Sequence, residues 1–246
     1  MTRICIYGAG AVGGWLAARL SRAGATVSVI ARGKQLDAIR TNGLRLRSGT
    51  GADTTAFTVA VAATDEPRTL GLQDYVFVAV KAPALHQVAA GIAPLLATHT
   101  AIVPAMNGVP WWYFEQEGGP LAGVHLNSID PGGALARAMP IHRIIGCVVY
   151  PSVSVPEPGL VAHKSGERVV VGDPSGHTTE CVTKLAALMT AAGFDCPVVP
   201  NIRREILLKL WGNVNFNPVS LLTWQATDLL LADPYMEELF IATMLE

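Results

Sequence analysis

Lys209, Asn213 and Asn217 stand four residues apart, the spacing that places side chains on one face of an α-helix. Leu207, Leu208, Leu210, Trp211, Val214 and Phe216 surround them, and no Asp, Glu, Lys or Arg occurs from 210 to 227. Amides buried on so apolar a helix are costly unless something polar meets them. Carboxylate and hydroxyl groups of a bound substrate are one solution; neighbouring helix ends or water are the other. An ammonium in the same row can hand a proton to the alkoxide that develops when a ketone accepts hydride, and a positioned acid of this kind is worth roughly 10²- to 10⁴-fold in rate. In a water-poor cleft its charge also stabilises the oxyanion. Lys209 is therefore the catalytic candidate, and Lys209, Asn213 and Asn217 are the substrate-binding candidates.

Such a reaction needs a hydride source, and the N-terminus supplies a place for one. Gly8-Ala9-Gly10-Ala11-Val12-Gly13 follows an apolar run and precedes an Ala/Leu-rich one, the strand-turn-helix context that gives a GxGxxG pattern meaning. Gly8 permits the tight turn, Gly10 lets the backbone approach a pyrophosphate, and Gly13 allows close helix–strand packing. The diphosphate then rests on the helix N-terminus. Where an NAD enzyme should carry an acid for the adenosine ribose, the sequence has Arg32, with Lys34 close behind. A guanidinium pairs with a 2′-phosphate in bidentate fashion, which points to NADP; a solvated surface arginine is the plain alternative. Lys81 follows the apolar run 75–80, and Asn107 follows the run 101–103. Both are expected at the carboxyl edge of a sheet, where doubly wound folds bind ligands, although a strand-end lysine can simply reach solvent and Asn-Gly is a common turn.

These residues need a scaffold. Alternating β-branched and Ala/Leu-rich segments predict parallel strands over 4–7, 27–30, 58–61, 75–80 and 101–103, with helices over 12–23, 35–41 and 85–96. From 121 to 174 short apolar runs among Gly and Pro predict antiparallel strands added to the sheet edge. Helix returns over 180–192, and beyond 200 the chain is expected to be almost wholly helical, with Pro218 kinking or ending the catalytic helix just after Asn217. The fold expected is α/β, a doubly wound, mostly parallel, Rossmann-like sheet over 1–200, followed by a smaller all-helical domain over 201–246. That helical pattern stops without a cap, so a truncated C-terminus is expected. A unit this small buries little surface alone, so it should lean on the first domain or on a second subunit, giving a homodimer.

Half of the 246 residues are apolar and the formal net charge is -1, which gives no electrostatic reason to expect nucleic acid or an acidic membrane. A small-molecule partner fits better. The uncharged stretch 82–106 is broken by prolines and histidines and is expected to be a buried helix and strand, not a membrane span. Cys5, Cys147, Cys181 and Cys196 form no CxxC pair, and the six histidines show no HxH or HxxxH spacing, so no metal site is expected. The start of the chain has the pattern of a first strand rather than of a signal segment, so the expected location is cytoplasmic.

The glycine turn, Arg32, the segment 74–81 ending on Lys81, Met106-Asn107-Gly108, and the run 201–210 continued by Asn213 and Asn217-Pro218 together resemble the ketopantoate reductase (2-dehydropantoate 2-reductase) family from end to end. The resemblance implies NADPH-dependent reduction of 2-dehydropantoate to pantoate in pantothenate biosynthesis. Lys209 matches the family's proton donor, and Asn213 and Asn217 match its substrate-binding asparagines. Gly8, Ala9, Gly10, Ala11, Val12, Gly13, Arg32, Lys81, Asn107 and Ser152 match cofactor-contacting positions. The sequence departs from the family pattern at Thr227, where some members carry a further asparagine, and in the segment 111–114 and the insert 125–133. These departures leave open a different 2-keto acid substrate; a non-catalytic NADP-binding protein is the alternative from another class.

Overall fold

Five parallel strands form the central sheet of the computed structural model, which describes residues 1–115, 118 and 120–246. They are β1 (Arg3–Tyr7), β2 (Thr26–Ile30), β5 (Ala62–Thr64), β6 (Gln73–Val78) and β7 (Leu96–Pro104), in the order β5-β2-β1-β6-β7. The chain leaves β1 to build one side of the sheet and returns to build the other from β6. The strand order thus reverses between β1 and β6, the crevice where doubly wound sheets bind ligands. The strands are buried on both faces, as parallel sheets require.

Helix α1 (Ala11–Arg22) explains its own composition. Gly13, Gly14, Trp15, Leu16, Ala17, Ala18 and Leu20 are all buried, because α1 packs on β1 and β2 and also under a second sheet. That sheet has the order β4-β3-β10-β9, built from β3 (Leu44–Ser48), β4 (Thr55–Val59), β9 (Ser152–Glu157) and β10 (Leu160–Ser165). A Cβ on Gly14 would lie 2.6 Å from Val161 of β10, so a small residue is what lets the layers meet. Trp15 joins Ile4, Leu44, Leu46 and Val161 in one hydrophobic cluster.

Helix α2 (Gly33–Asn42) follows β2 and shares the α1 cluster through Leu36 and Ile39, whereas helix α3 (Leu85–Gly91), which precedes β7, packs into a separate one. Strand β8 (Gly146–Val149) pairs antiparallel with β11 (Val169–Gly172). Ile145 donates to the Ile102 carbonyl of β7 at 2.9 Å, so this pair stands beside the edge of the central sheet. A second cluster holds Val76, Val88, Ile102, Trp111, Trp112 and, from the C-terminal helices, Ile202 and Ile206. Helices α4 (Ala134–Ala138) and α5 (Glu180–Ala191) complete the first part of the chain, and α6 (Ile202–Thr223), α7 (Thr227–Leu231) and α8 (Pro234–Leu245) form the rest.

The doubly wound sheet and the helical C-terminal region match the expectation, and four details correct it. The strand expected over 58–61 falls across the end of β4 and the gap before β5, which belong to different sheets. The strands expected at the sheet edge divide: β8 and β11 form a two-stranded pair beside that edge, linked by a single bridge from Ile144 to Ile102, whereas β9 and β10 build the second sheet. The helix expected over 85–96 ends at Gly91 and tightens into a 3-10 turn over Ala93–Leu95, where Pro94 cannot continue the α pattern. Pro218 neither ends nor interrupts α6, which runs on to Thr223. Pro218 offers no backbone donor to the turn before it, and Val214 in that turn is exposed, so water can take the donor's place.

The uncharged stretch 82–106 is helix α3 and strand β7, and among the described residues no helix is long and apolar enough to cross a membrane. The four cysteines are free. Burial pushes the Cys5 thiol up to about 12, which leaves it protonated and unreactive.

Candidate functional site

The glycine turn closes the end of β1. Gly8 has φ +109° and donates to the Ile30 carbonyl of β2 at 3.0 Å, a left-handed backbone that favours glycine. A Cβ on Gly8 would lie 2.7 Å from the Ala79 carbonyl. A Cβ on Gly13 would collide with the Gly8 carbonyl and touch Ile6 and Ala79 at 3.0 Å. Gly10 is different, because nothing lies within 4 Å of where its Cβ would be. The turn is therefore packed tightly below and open above.

Into that opening face the first N–H groups of α1, which begins at Gly10 without a side-chain cap and without an acidic residue in its first turn. A cavity of about 400 Å³ covers the turn, lined by Tyr7, Gly8, Ala9, Gly10, Arg32 and Val80 among others. Arg32 is exposed at its rim and donates from Nη1 to Gln87 Oε1 at 2.7 Å. Uncapped helix donors, bare backbone and a guanidinium fit a phosphorylated dinucleotide. Gln35, also in the wall of this cavity, ties the turn down, donating to the Ala9 carbonyl at 2.7 Å and accepting from Gly159 N at 2.9 Å.

A second cavity, of about 470 Å³, opens beside Asn107 and includes Ala82, Met106, Trp112, Cys147 and Ile206 in its wall. Lys81 is exposed and lies in the chain between Val80 of the first cavity and Ala82 of the second. It follows β6 by three residues rather than ending the strand.

Helix α6 brings the catalytic candidate to this edge. Asn201 caps it, accepting from Arg204 N at 3.0 Å. Buried Arg203 clamps its first turn, with Nε donating to the Tyr113 carbonyl and Nη2 to the Glu115 carbonyl, each at 2.6 Å. Ile206 reaches the second cavity, and Lys209 follows three residues on. The Lys209 Nζ lies 4.7 Å from the centre of the Tyr150 ring, just past β8, a cation–π contact that holds the ammonium without neutralising it. Partial burial lowers its pKa from the ordinary lysine value. Asn213 is half-buried and Asn217 exposed. Ser152 is exposed at the start of β9, two residues after Tyr150.

Several contributors were missed in the sequence. Tyr150 was legible only as the end of an apolar strand, Gln35 and Gln87 gave no signal beyond being polar, and Arg203 lay in the run 201–210 without a role assigned to it. The buried amide of α6 is Asn215, outside the four-residue row. Its Nδ2 donates to the Trp211 carbonyl at 2.7 Å, and among the described residues its Oδ1 has no partner. Among the described residues no group of three or more His, Cys, Asp or Glu could hold a metal ion.

Comparison with known proteins bears on the family of the chain. A family model described as ketopantoate reductase PanE/ApbA matches residues 4–111. A curated 2-dehydropantoate 2-reductase of Mesorhizobium japonicum is 49% identical over 245 residues, 99% of this chain and 74% of its own length. A solved structure from Ralstonia solanacearum MolK2, described as a candidate ketopantoate reductase, superposes with a TM-score of 0.93 at 47% identity, covering 99% of this chain and 74% of that one. A D-mandelate dehydrogenase solved with NADH and anilino(oxo)acetate shares the fold, with a TM-score of 0.79 at 16% identity over 97% of this chain and 70% of its own.

Proposed function

Because the chain belongs to the ketopantoate reductase family, an oxidoreductase family, we propose that it reduces 2-dehydropantoate to pantoate with NADPH, with Lys209 as the proton donor. Residues 1–200 carry the cofactor and residues 201–246 carry the catalytic helix. The observation that supports this most is the position of Lys209, held over Tyr150 one turn beyond Ile206 of the cavity that also contains Asn107.

NADPH supplies the hydride when bound. The N–H groups that open α1 and the bare backbone of Gly10 receive the diphosphate, with Ala9, Ala11, Val12 and Gly13 completing the turn. Arg32 meets the 2′-phosphate, held ready by Gln87, and this pairing is our reason for NADPH rather than NADH. Lys81, Asn107 and Ser152 border the cofactor along the carboxyl edge. Lys209 stabilises the developing oxyanion and passes its proton to that oxygen. Asn213 and Asn217 orient the substrate's carboxylate and hydroxyl groups.

We also infer a homodimer formed through the C-terminal helices, whose Trp211, Val214, Leu221, Leu222 and Trp224 are exposed; apolar patches of this kind mark association surfaces. The reduced state of the four thiols fits a cytoplasmic location. The deciding experiment is NADPH oxidation with 2-dehydropantoate, followed at 340 nm. Stoichiometric pantoate formation is expected, and tight NADPH binding without turnover would replace the enzyme with a non-catalytic cofactor-binding protein. Sedimentation showing a stable monomer at micromolar concentration would remove the dimer.

A further inference from the structure

The Lys209 ammonium is held by an uncharged group. Its Nζ lies 4.7 Å from the centre of the Tyr150 ring, and among the described residues no carboxylate is within ion-pair distance of it. That is the less expected arrangement, because Glu205 stands four residues earlier on α6, and Glu followed at i+4 by Lys is the favoured order for an ion pair on a helix. Lys209 turns from that acid to the ring. Strands β8 and β11, against which α6 packs, carry no charged residue, and burial is the cause of the lowered Lys209 pKa.

The ring is set in place by its own strand. Tyr150 N donates to the Arg168 carbonyl at 3.1 Å, Pro151 follows it in the chain, and a Cβ on Gly166 would lie 2.9 Å from the Tyr150 carbonyl. The side chain packs against the second hydrophobic cluster. Burial first, and then the Glu205 charge, push the phenol pKa up, so the ring stays neutral. Arg168 is engaged with Asp195 at 3.1 Å. Tyr150 and Lys209 also stand in matching places, each three residues beyond a residue that lines the cavity beside Asn107, namely Cys147 of β8 and Ile206 of α6.

We propose that Tyr150 is the positioning residue of the proton transfer, the face of its ring holding the Lys209 ammonium in place where a counter-ion would hold back its proton. An aromatic face attracts a cation through its quadrupole, whereas a carboxylate at contact distance favours the charged form and makes the ammonium a weaker acid. With the ring as support, release of the proton to the developing alkoxide gives up a cation–π contact and no ion pair. Tyr150 touches no reacting atom and acts through Lys209, so the inference rests on the reading of Lys209 as proton donor.

The test sets Tyr150→Leu and Tyr150→Phe beside the full-length parent. Tyr150→Leu keeps an apolar side chain and removes the ring face. It should lower kcat about 2- to 30-fold, the range that a cation–π contact spans, with KM and the NADPH dissociation constant within about twofold, the signature of an interaction that serves the chemical step. Tyr150→Phe restores the ring without the hydroxyl and should recover kcat to within about threefold of the parent. A readout independent of turnover comes from lysine labelled with carbon-13 at the ε position, with the Lys209 signal assigned through Lys209→Arg. Under the ring current that signal should lie upfield of the other lysines in the parent and in Tyr150→Phe, and return among them in Tyr150→Leu. An unshifted Lys209 signal in the parent, or equal kcat in the parent and Tyr150→Leu, overturns the proposal and leaves the proton donor standing. A Phe variant as slow as the Leu variant also overturns it, because the hydroxyl would then be the working part. If Tyr150→Leu fails to fold, the parent signal and the Phe variant decide. A parent without turnover, or Lys209→Ala as active as the parent, overturns the donor reading and this role with it.

Discussion

The turn after β1 and the helix α6 solve opposite problems. Around Gly8, Gly10 and Gly13 side chains are excluded by backbone, Gly8 N and the Ala9 carbonyl are bonded to Ile30 and Gln35, and one opening remains above Gly10, where the helix N–H groups are uncapped. Along α6 the backbone is ordinary helix, apolar side chains such as Leu207, Trp211 and Val214 are exposed, and one buried amide oxygen has no partner among the described residues. The proposed cofactor half of the site is therefore specified by space and backbone direction, and the proposed catalytic half by the chemical type of a few side chains. Damage to the first should register in binding and folding, and damage to the second in turnover.

The sharpest division is expected at Lys209. Lys209→Ala should lower kcat/KM about 10²- to 10⁴-fold with NADPH affinity unchanged by titration. The competent proton donor is the ammonium, and burial lowers its pKa. Reduction should therefore fall as pH rises through a value below the 10.5 of an ordinary lysine. A basic limb at or above that value, or a variant as active as the parent, would remove Lys209 from the chemistry and erase the contrast.

Next in size is Arg32→Ala, which gives up charge-assisted hydrogen bonds worth about 1.5–3 kcal/mol. NADPH affinity should drop about 10- to 100-fold by that measure while NADH affinity stays level. Equal losses for both coenzymes would mean that Arg32 does not meet a 2′-phosphate. Gly13→Ala tests the spatial argument itself. Its new Cβ has only the Gly8 carbonyl, Ile6 and Ala79 to occupy, and overpacking of this kind costs about 1–3 kcal/mol. A fall in the denaturation midpoint is expected with weaker NADPH binding, and a variant as stable as the parent would show that the turn yields more readily than its contacts imply.

The two regions were unequally legible in the sequence. The glycine turn could be read because its constraints lie within six consecutive residues and are constraints on backbone. Its supports could not: Gln35 reaches Gly159, and β10 pairs parallel with β3 through Leu160 opposite Arg45, contacts that local periodicity does not encode. That is also why β9 and β10 were expected at the wrong sheet. In α6 the four-residue row identified Lys209, and it drew attention to Asn213 and Asn217 while passing over Asn215, on another face. Pro218 misled because a missing donor is costly only where the orphaned carbonyl is dry, and solvent access is a property of the assembled fold.

Asn215→Leu is the smallest change and bears most directly on the contrast. The Nδ2 group bonds back to the Trp211 carbonyl of its own helix, which already has a backbone role, while Oδ1 is buried with no partner among the described residues. An unsatisfied buried acceptor costs about 1–3 kcal/mol, and leucine is the better helix former by a few tenths of a kcal/mol. Removing the amide should therefore leave the denaturation midpoint unchanged or raise it, with kcat/KM within about twofold because a substitution that leaves Lys209 in place removes no proton donor. A loss of several kcal/mol would instead mean that Oδ1 is engaged in the folded, assembled protein. The catalytic helix would then be as closely satisfied as the glycine turn, and the division between a half set by space and a half set by chemistry would no longer hold.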